Sequence, residues 1–337
     1  MNKITIKDIA KEAGVSTATV SRVLTNTGYA SDKIKEKVHS VAKKLNYQPN
    51  AIARSLKTDR TNTIGVIIPD ISNPYFMRIS RGIEDTIQKH DYNLIFVSGD
   101  ENPDKEKRML QVLIEKRVDA IVLATSGGNE ETIYKIKEAE VPIILIDRKL
   151  ENEAVDFDLV EEDNIDGSYQ LTKYLIEQGH KRIGVVNGPL NVSTGKERYL
   201  GYENAMNEHE VELNPDLVFN GHFTQEDGIE AVAHFFNRII KPPTAILSFN
   251  NTMTFGVILQ LTRMGKDIPK DLVVASYGET DAAQFLKPPG IVNIIQVPYE
   301  MGVRVGEILI DRLINKVQTP THEKFRPSIN INMNTFH

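Results

Sequence analysis

The sequence predicts an all-α helix-turn-helix head followed by an α/β body of two doubly wound parallel-sheet lobes. In the first sixty residues, apolar side chains recur at helical spacing in three short segments. From residue 61, short apolar runs alternate with helical stretches, and this array occurs twice, before and after about residue 160. A length of 337 residues suits two or three domains.

Three helices are predicted in the head. Thr5 and Asp8 form a capping-box pattern before the first, and Ser16 and Ser31 stand at the N-caps of the second and third. Gly14 separates the first two helices by a tight turn, which is the geometry of a helix-turn-helix. The predicted helices cover residues 6–13, 17–24 and 32–45.

The exposed face of the second helix carries small or hydrogen-bonding side chains and no carboxylate. A helix that enters the major groove needs small residues for close approach, hydroxyls for phosphates or base edges, and an arginine for guanine. A generic helical hairpin would show similar triplets of helices. The candidate DNA contacts in the head are Thr5, Ser16, Thr17, Ala18, Thr19, Ser21 and Arg22.

Charge is distributed unevenly along the chain. Residues 1–60 contain nine Lys and three Arg against three Asp and two Glu, a net charge of +7, whereas the remainder carries −13. A basic head on an acidic body is typical of a nucleic-acid-binding module, although a solvated face of a small domain would give the same balance.

Several functional classes lack their sequence signatures. The chain has no Cys, which excludes disulfides, thiolate zinc sites and cysteine nucleophiles. The eight His are scattered, and no catalytic motif or phosphate loop occurs. We therefore expect no enzyme activity, no cofactor and no metal. The polar N-terminus and the lack of any apolar run of about 18 residues predict a cytoplasmic protein without a membrane span.

Two segments carry a resemblance to a known family. Residues 5–24 read TIKDIAKEAGVSTATVSRVL, and residues 45–57 read LNYQPNAIARSLK. Both closely resemble the lactose/galactose repressor (LacI/GalR) family of bacterial transcriptional regulators. The resemblance implies a DNA-binding domain over residues 1–47 and a hinge helix with linker over 48–60. It also implies DNA contacts by Asn50, Ala53, Leu56 and Lys57, with Leu56 wedged between base steps in the minor groove.

The body resembles a periplasmic sugar-binding fold in the same family. The runs that carry this resemblance are GVIIPDISNPYF at 65–76, EDNIDG at 162–167, GHKRIG at 179–184 and RYLGY at 198–202. The resemblance implies an effector-binding and dimerisation domain over 61–337, with chain crossings near 161, 289 and 322. The N-lobe would then comprise about 61–160 and 290–322, and the C-lobe about 161–289 and 323–337. The strands predicted from apolar runs are 64–68, 94–97, 120–123, 143–146, 183–186, 245–247, 273–275 and 291–295.

Ligands of open α/β sheets bind beyond the carboxyl ends of the strands. We therefore expect the side chains at those ends to face a cleft between the lobes, and several match effector-binding positions of the family. Tyr75 and Phe76 would stack on a ligand, although aromatics after a strand are as often core residues. The candidate effector contacts are Asn73, Tyr75, Phe76, Ser126, Asp147, Arg148, Asp163, Arg198, Phe223, Asn250 and Gln296.

Two departures from the family pattern bear on the effector. Asn251 stands where an acidic residue often follows Asn, and Gly278 stands where Asp usually follows an aromatic residue. Both changes remove carboxylates, whereas Arg148, Lys196 and Arg198 remain. This balance predicts an acidic or phosphorylated effector, although Glu279 could supply the missing carboxylate from the next position.

The sequence as a whole predicts a repressor that binds palindromic double-stranded operator DNA as a homodimer. A small metabolite, a sugar or sugar derivative, would control it, and carbohydrate-utilisation genes would be its targets. A phosphocarrier-protein corepressor, which some family members use, remains open. The alternative is a non-regulatory solute-binding protein with the same body.

Overall fold

The structure is a computed structural model that describes residues 4–24, 28–47, 60–150, 156–288 and 290–331. The chain divides into two compact units, Met1–Thr61 and Asn62–His337, which are described separately. The predicted fold class is confirmed, because the first unit is helical and the second contains two six-stranded, mainly parallel sheets.

Three helices form the first unit around a small apolar core. Val20 and Val38 are fully buried in this core together with Ile9 and Ala13. The helices are α1 (Ile6–Ala13), α2 (Thr17–Leu24) and α3 (Asp32–Lys44). The last helix is one residue shorter than predicted, with Leu45 as its C-cap.

The predicted caps of the head helices are present in the structure. Asp8 Oδ2 accepts hydrogen bonds from the backbone N–H and the hydroxyl of Thr5, at 2.8 and 2.7 Å. Ser16 Oγ accepts from the backbone N–H of Thr19 at 3.1 Å. Ser31 occupies the N-cap of α3, but its side chain makes no capping hydrogen bond. These bonds satisfy N–H groups that a helix start leaves without partners.

The first lobe of the body surrounds one sheet with strand order β11-β5-β4-β3-β1-β2. Side chains alternate between its two faces, so that Ile64 and Val66 belong to one apolar core and Ile67 to the other. The strands are β1 (Thr63–Ile68), β2 (Asn93–Ser98), β3 (Ala120–Leu123), β4 (Ile143–Ile146), β5 (Asp158–Glu162) and β11 (His322–Phe325). The helices are α4 (Pro74–Ile87), α5 (Pro103–Glu115), α6 (Glu130–Glu138) and α11 (Pro298–Ile310).

The second lobe repeats this architecture with strand order β12-β10-β9-β8-β6-β7. All pairs are parallel except β10 with β12. The strands are β6 (Ile183–Asn187), β7 (Val218–Asn220), β8 (Ala245–Ser248), β9 (Val273–Ser276), β10 (Val292–Ile295) and β12 (Ser328–Asn330). The helices are α7 (Asn164–Glu177), α8 (Ser193–Glu208), α9 (Gln225–Asn237) and α10 (Asn251–Arg263).

The chain crosses between the lobes three times; the first crossing lies near its predicted position, and the second and third lie later than predicted. β5 still pairs within the first sheet, so the first crossing follows Glu162. β10 pairs with β9, so the second crossing follows Ile295 rather than residue 289. The third lies between β11 and β12, after Phe325. The strands β5, β7, β11 and β12 were missed because none of them contains more than two consecutive apolar residues.

Within the described ranges, no helix is long and apolar enough to span a membrane. The same ranges contain no cluster of three or more His, Asp or Glu side chains that could hold a metal ion.

Candidate functional site: the cleft between the lobes and the face of helix α2

A cleft of about 650 Å³ lies where the carboxyl ends of the two sheets face each other. The first lobe contributes the segments after β1, β2 and β4, and the second contributes α8 and the segments after β7, β8, β9 and β10. The lining residues are Pro69, Asp70, Ser72, Asn73, Tyr75, Phe76, Asp100, Glu101, Asn102, Asp147, Arg148, Thr194, Arg198, His222, Phe223, Thr224, Gln225, Glu226, Asn250, Asn251, Thr252, Tyr277 and Gln296.

Tyr75 and Asp147 form a buried hydrogen-bonded pair in the first lobe. The Tyr75 hydroxyl donates to Asp147 Oδ1 at 2.8 Å. Burial and the neighbouring carboxylate of Asp147 raise the pKa of Tyr75 well above its ordinary value, so the hydroxyl stays protonated. The Tyr75 ring packs edge-on against Phe76 at 5.2 Å between centroids. A ligand in the cleft therefore meets a fixed aromatic corner beside a carboxylate.

Arg148 is buried and forms a bidentate ion pair with a carboxylate of its own lobe, whereas its Nε has no hydrogen-bond partner among the described residues. Its Nη1 and Nη2 donate to Glu101 Oε2 and Oε1 at 2.7 and 2.6 Å, and Nη1 also donates to the Thr125 carbonyl at 3.1 Å. The guanidinium lies 5.2 Å from the centroid of the Phe223 ring, which belongs to the second lobe. This bidentate geometry is the strongest form of an arginine–carboxylate pair.

Arg198 is held within the second lobe, between α7 and the end of β8. Its Nε donates to Asn164 Oδ1 at 2.7 Å and its Nη1 to the Phe249 carbonyl at 2.5 Å. The guanidinium stacks 3.8 Å from the centroid of the Tyr277 ring. Among the described residues, none accepts a hydrogen bond from Nη2, so this edge of the guanidinium can donate to a ligand.

Glu162 is buried at the first crossing, behind the cleft. Its Oε2 accepts a hydrogen bond from Gln296 Nε2 at 2.6 Å, and Oε1 has no partner among the described residues. Burial raises the pKa of Glu162 to about 7, whereas the bond from Gln296 and the charge of Arg198 act in the opposite direction. Because Gln296 follows β10, this bond joins the first crossing to the second.

Two side-chain contacts join the lobes at one edge of the cleft. Asn73 Nδ2 donates to Asn251 Oδ1 at 3.2 Å, and Asn251 Nδ2 donates to Asn73 Oδ1 at 2.9 Å. Beside them, Arg78 Nη1 lies 3.4 Å from Glu279 Oε2. Asn73 and Asn251 stand at the N-cap of α4 and the first residue of α10, so the two helix starts face each other across the cleft.

The structure brings nine of the eleven expected effector contacts into the cleft. Ser126 lies outside the lining, because its loop folds back and its N–H donates to the buried Glu106 at 2.6 Å. Asp163 also lies outside it and instead caps α7 by accepting from the backbone N–H of Asp166. Asn250 reaches the lining, but its Oδ1 caps α10 through the N–H of Met253.

Sequence reasoning missed Glu101 as a cleft residue, although the same rule could have found it. Glu101 lies just past the end of β2, a strand that was correctly predicted. The rule that selected residues after β1, β3 and β4 applies equally to this loop. Asn251 was noted as a departure from the family pattern, but nothing in the sequence indicated that it contacts Asn73.

The charges of the cleft lining bear on the predicted acidic effector. Five carboxylates line the cleft, Asp70, Asp100, Glu101, Asp147 and Glu226, against the two guanidiniums of Arg148 and Arg198. The exposed Lys196 is not among the lining residues. The carboxylates absent at 251 and 278 are therefore replaced by others that follow different strands.

In the head, the expected DNA contacts of α2 share one accessible face. Ser16, Thr17, Ala18 and Arg22 are exposed, and Thr19 and Ser21 are partly exposed. Arg22 makes no hydrogen bond or ion pair with another described residue, so its guanidinium is available. Thr5 is exposed but bonded to Asp8. The four hinge positions Asn50, Ala53, Leu56 and Lys57 lie outside the described residues.

Both units match known families. Residues 5–50 match the bacterial regulatory proteins of the lacI family, and residues 61–335 match the periplasmic binding proteins and sugar binding domain of the LacI family. The repressor PurR of Haemophilus influenzae is 36% identical over 316 residues, which are 93% of this chain and 92% of that protein. The regulator RegA of Clostridium saccharobutylicum is 37% identical over 312 residues, 92% of each chain. Relatives of this kind are transcriptional regulators and not enzymes.

Two solved structures show the same fold over nearly the whole chain. The regulator CelR in complex with cellobiose has a TM-score of 0.74 and 25% identity, and the match covers 98% of this chain and 100% of that one. The Lac repressor dimer bound to operator and the anti-inducer ONPF has a TM-score of 0.84 at 21% identity, with 99% and 100% covered. The second likeness concerns the fold alone.

Proposed function

The chain belongs to the LacI family of bacterial regulatory proteins and is a DNA-binding transcriptional repressor, and we propose that a neutral sugar bound in the interlobe cleft controls it. The observation that carries the choice of effector is the engagement of Arg148 by Glu101. With Arg148 neutralised, the cleft offers an excess of carboxylates and amides, which suit the hydroxyl groups of a neutral sugar. Carbohydrate-utilisation genes are the targets that such an effector implies.

The exposed face of α2 supports DNA recognition by the head. We propose that Arg22 reads a base edge in the major groove, while Thr5, Ser16, Thr17, Ala18, Thr19 and Ser21 contact the backbone or allow close approach. We further propose that Asn50, Ala53, Leu56 and Lys57 form the minor-groove contact, with Leu56 as an apolar wedge. Two heads reading a palindrome require a homodimer, and operator binding implies action in the cytoplasm.

The relative solved with a ligand supports a neutral saccharide. CelR was solved in complex with cellobiose, a neutral disaccharide. It is 25% identical to this chain, and the match covers 98% of this chain and 100% of CelR. The charges of the cleft favour the same choice, because Glu101 neutralises Arg148, and an anion would then face four other lining carboxylates with Arg198 as the remaining guanidinium. Arg198 then donates to a sugar hydroxyl through its Nη2 edge.

Effector control requires two states with different affinities for the sugar. We propose that the sugar binds the closed cleft more tightly than an open one and thereby shifts the repressor between states of different operator affinity. A phosphocarrier-protein corepressor would act on the same equilibrium from outside the cleft. We infer that the contacts Asn73–Asn251 and Arg78–Glu279, which join the lobes at the edge of the cleft, stabilise the closed arrangement.

The test combines a ligand screen with an operator assay on the full chain. A thermal-shift screen of neutral sugars, sugar acids, sugar phosphates and purines identifies the ligand, because a ligand at 100 times its Kd stabilises by about 2.7 kcal/mol. An operator selected from random duplexes is then titrated with and without the hit. We expect a neutral sugar to stabilise the protein and to change operator affinity by at least five-fold.

Several outcomes would contradict the proposal. Duplex binding without a strong decrease between about 50 and 200 mM salt would argue against phosphate contacts by the head. A neutral sugar that binds without changing operator affinity would favour a non-regulatory solute-binding protein. Hits only among purines or anions would refute the proposal of a neutral effector. A screen without any hit, with operator binding intact, would favour a protein corepressor.

A further inference from the structure

The pair formed by Glu101 and Arg148 stands out among the charged groups of the cleft. Arg148 has a side chain only 3% exposed, and Glu101 covers it with a side chain that is 19% exposed. An unpaired guanidinium at this depth would be costly, so the carboxylate does for Arg148 what a bound anion would otherwise do. The positive charge of Arg148, which in the sequence favours an acidic effector, is thus already neutralised by Glu101.

Glu101 reaches Arg148 from an unusual backbone conformation. Asp100 and Glu101 both have positive φ, 52° and 51°, in a region that residues with a side chain seldom occupy. Two consecutive residues with side chains in this region carry backbone strain. The turn after β2 therefore adopts a less stable conformation in which the Glu101 carboxylate meets the guanidinium.

The surroundings anchor the turn on both sides of Glu101. The Asp100 carboxylate accepts from Ser98 Oγ at 2.5 Å and pairs with Lys105. Asn102 caps α5 through the N–H of Lys105, at 2.9 Å. Glu101 itself is attached to the rest of the lobe mainly through Arg148, apart from a backbone N–H bond to the Pro69 carbonyl at 3.3 Å. We therefore expect that the Glu101 side chain can be substituted without unfolding the turn.

We propose that Glu101 is a specificity-determining residue that acts as an internal anion on Arg148 and thereby excludes anionic ligands from the cleft. This inference rests on the proposal that the cleft holds the effector, and it adds the reason why a neutral effector is selected. An anion would have to displace Glu101 and leave its carboxylate unpaired beside Asp100 and Asp147. A neutral sugar leaves the pair intact and contacts the remaining polar atoms.

The test replaces the carboxylate and measures binding of inorganic phosphate, a probe that does not depend on sugar stereochemistry. Glu101→Gln keeps the shape of the side chain, and Glu101→Gly suits the positive φ without steric strain. Glu226→Gln is the matched control, because Glu226 lines the same cleft from the second lobe and makes no hydrogen bond to either arginine among the described residues. Titration calorimetry is done on the full chain at constant ionic strength.

We expect both Glu101 variants to bind phosphate at least ten-fold more tightly than the unmodified protein, and Glu226→Gln, which removes a lining carboxylate without freeing an arginine, to show a clearly smaller gain. Adding Arg148→Met to Glu101→Gln should abolish the gain, which would locate the anion on Arg148. Unchanged phosphate affinity in both folded Glu101 variants, or an equal gain in Glu226→Gln, would overturn the proposal. The neutral-sugar screen of the unmodified protein tests the effector site separately, so failure of that screen is distinguishable from failure here.

Discussion

Asn73 and Asn251 exchange two amide hydrogen bonds across the cleft, and the orientation of this pair is fixed by a helix cap. Asn73 Oδ1 also accepts the N–H of Tyr75 at 3.0 Å, so the Asn73 amide cannot flip without losing the cap of α4. Asn251 must therefore present its Nδ2 to Asn73 Oδ1, where it donates at 2.9 Å. An aspartate at 251 would place an acceptor against an acceptor.

From this relationship we expect Asn251→Asp to weaken the closed cleft while leaving the fold intact. The variant loses one bond and repels Asn73 Oδ1, whereas a carboxylate at the start of α10 is compatible with the helix dipole. Effector affinity should fall about ten-fold, and small-angle scattering should show a more open body. Asn214→Asp is the control, because the Asn214 side chain caps its helix only by accepting a hydrogen bond, from the backbone N–H of Asp216. Unchanged affinity and scattering would contradict a closing role.

Arg198→Lys should weaken effector binding and leave operator binding in the absence of effector unchanged. One ammonium cannot keep the bonds to Asn164 and the Phe249 carbonyl together with the stack on Tyr277. We expect effector affinity to fall ten- to a hundred-fold, measured by calorimetry, while operator affinity without effector is retained. Arg182→Lys is the matched control, because Arg182 donates to the Lys241 carbonyl away from the cleft. An effector response equal to that of the unmodified protein would remove Arg198 from the site.

Glu162 should make stability depend on pH near neutrality. Its carboxyl has a pKa of about 7 in the fold and 4.5 as the ordinary value, so between these pH values the folded state holds a proton that the unfolded state has lost. Because the pKa is raised, the contribution of Glu162 to the free energy of unfolding is fully present below about pH 4.5. It is lost as the pH rises to about 7, and the loss is at most about 3 kcal/mol.

Glu162→Gln removes this titration and retains an acceptor for Gln296. Denaturant titrations at pH 5 and pH 8 should therefore show that the variant gains stability relative to the unmodified protein as pH rises. Glu138→Gln, at an exposed position of α6, is the control for loss of a carboxylate. A difference between variant and unmodified protein that does not change with pH would show that Glu162 is ionised in the fold.

Arg22→Ala should weaken specific operator binding by about 1 to 3 kcal/mol and blur the preference at one base pair. The side chain is exposed on α2 and makes no polar contact with another described residue, so the head should stay folded. Fluorescence anisotropy with a set of single-base operator variants measures both effects. Lys44→Met removes the same charge where the ammonium is paired with Glu12 at 2.9 Å, and should leave base preference unchanged. A uniform loss over all operators would assign Arg22 to a phosphate.

The sequence alone predicted the helical head, the two parallel sheets and nine of the residues that line the cleft. These features depend on local signals: apolar periodicity over a few residues, caps such as Thr5 with Asp8, and the rule that strands of a parallel sheet end at one edge. Tyr75 and Arg148 could be assigned to the cleft because each follows a recognisable strand, and Arg198 because it matches an effector-binding position of the family. Short polar strands such as β11 gave no such signal, so the lobe crossings were misplaced.

Only the tertiary structure decided how the cleft residues pair with one another. Glu101 and Arg148 are 47 positions apart, and Asn73 and Asn251 are 178 apart, so no local pattern links them. Whether a buried arginine attracts an anion depends on which carboxylate already pairs with it, because a bidentate pair requires close contact and a defined geometry. The sequence determined which charges are available, and the packing of distant loops decided which of them are neutralised.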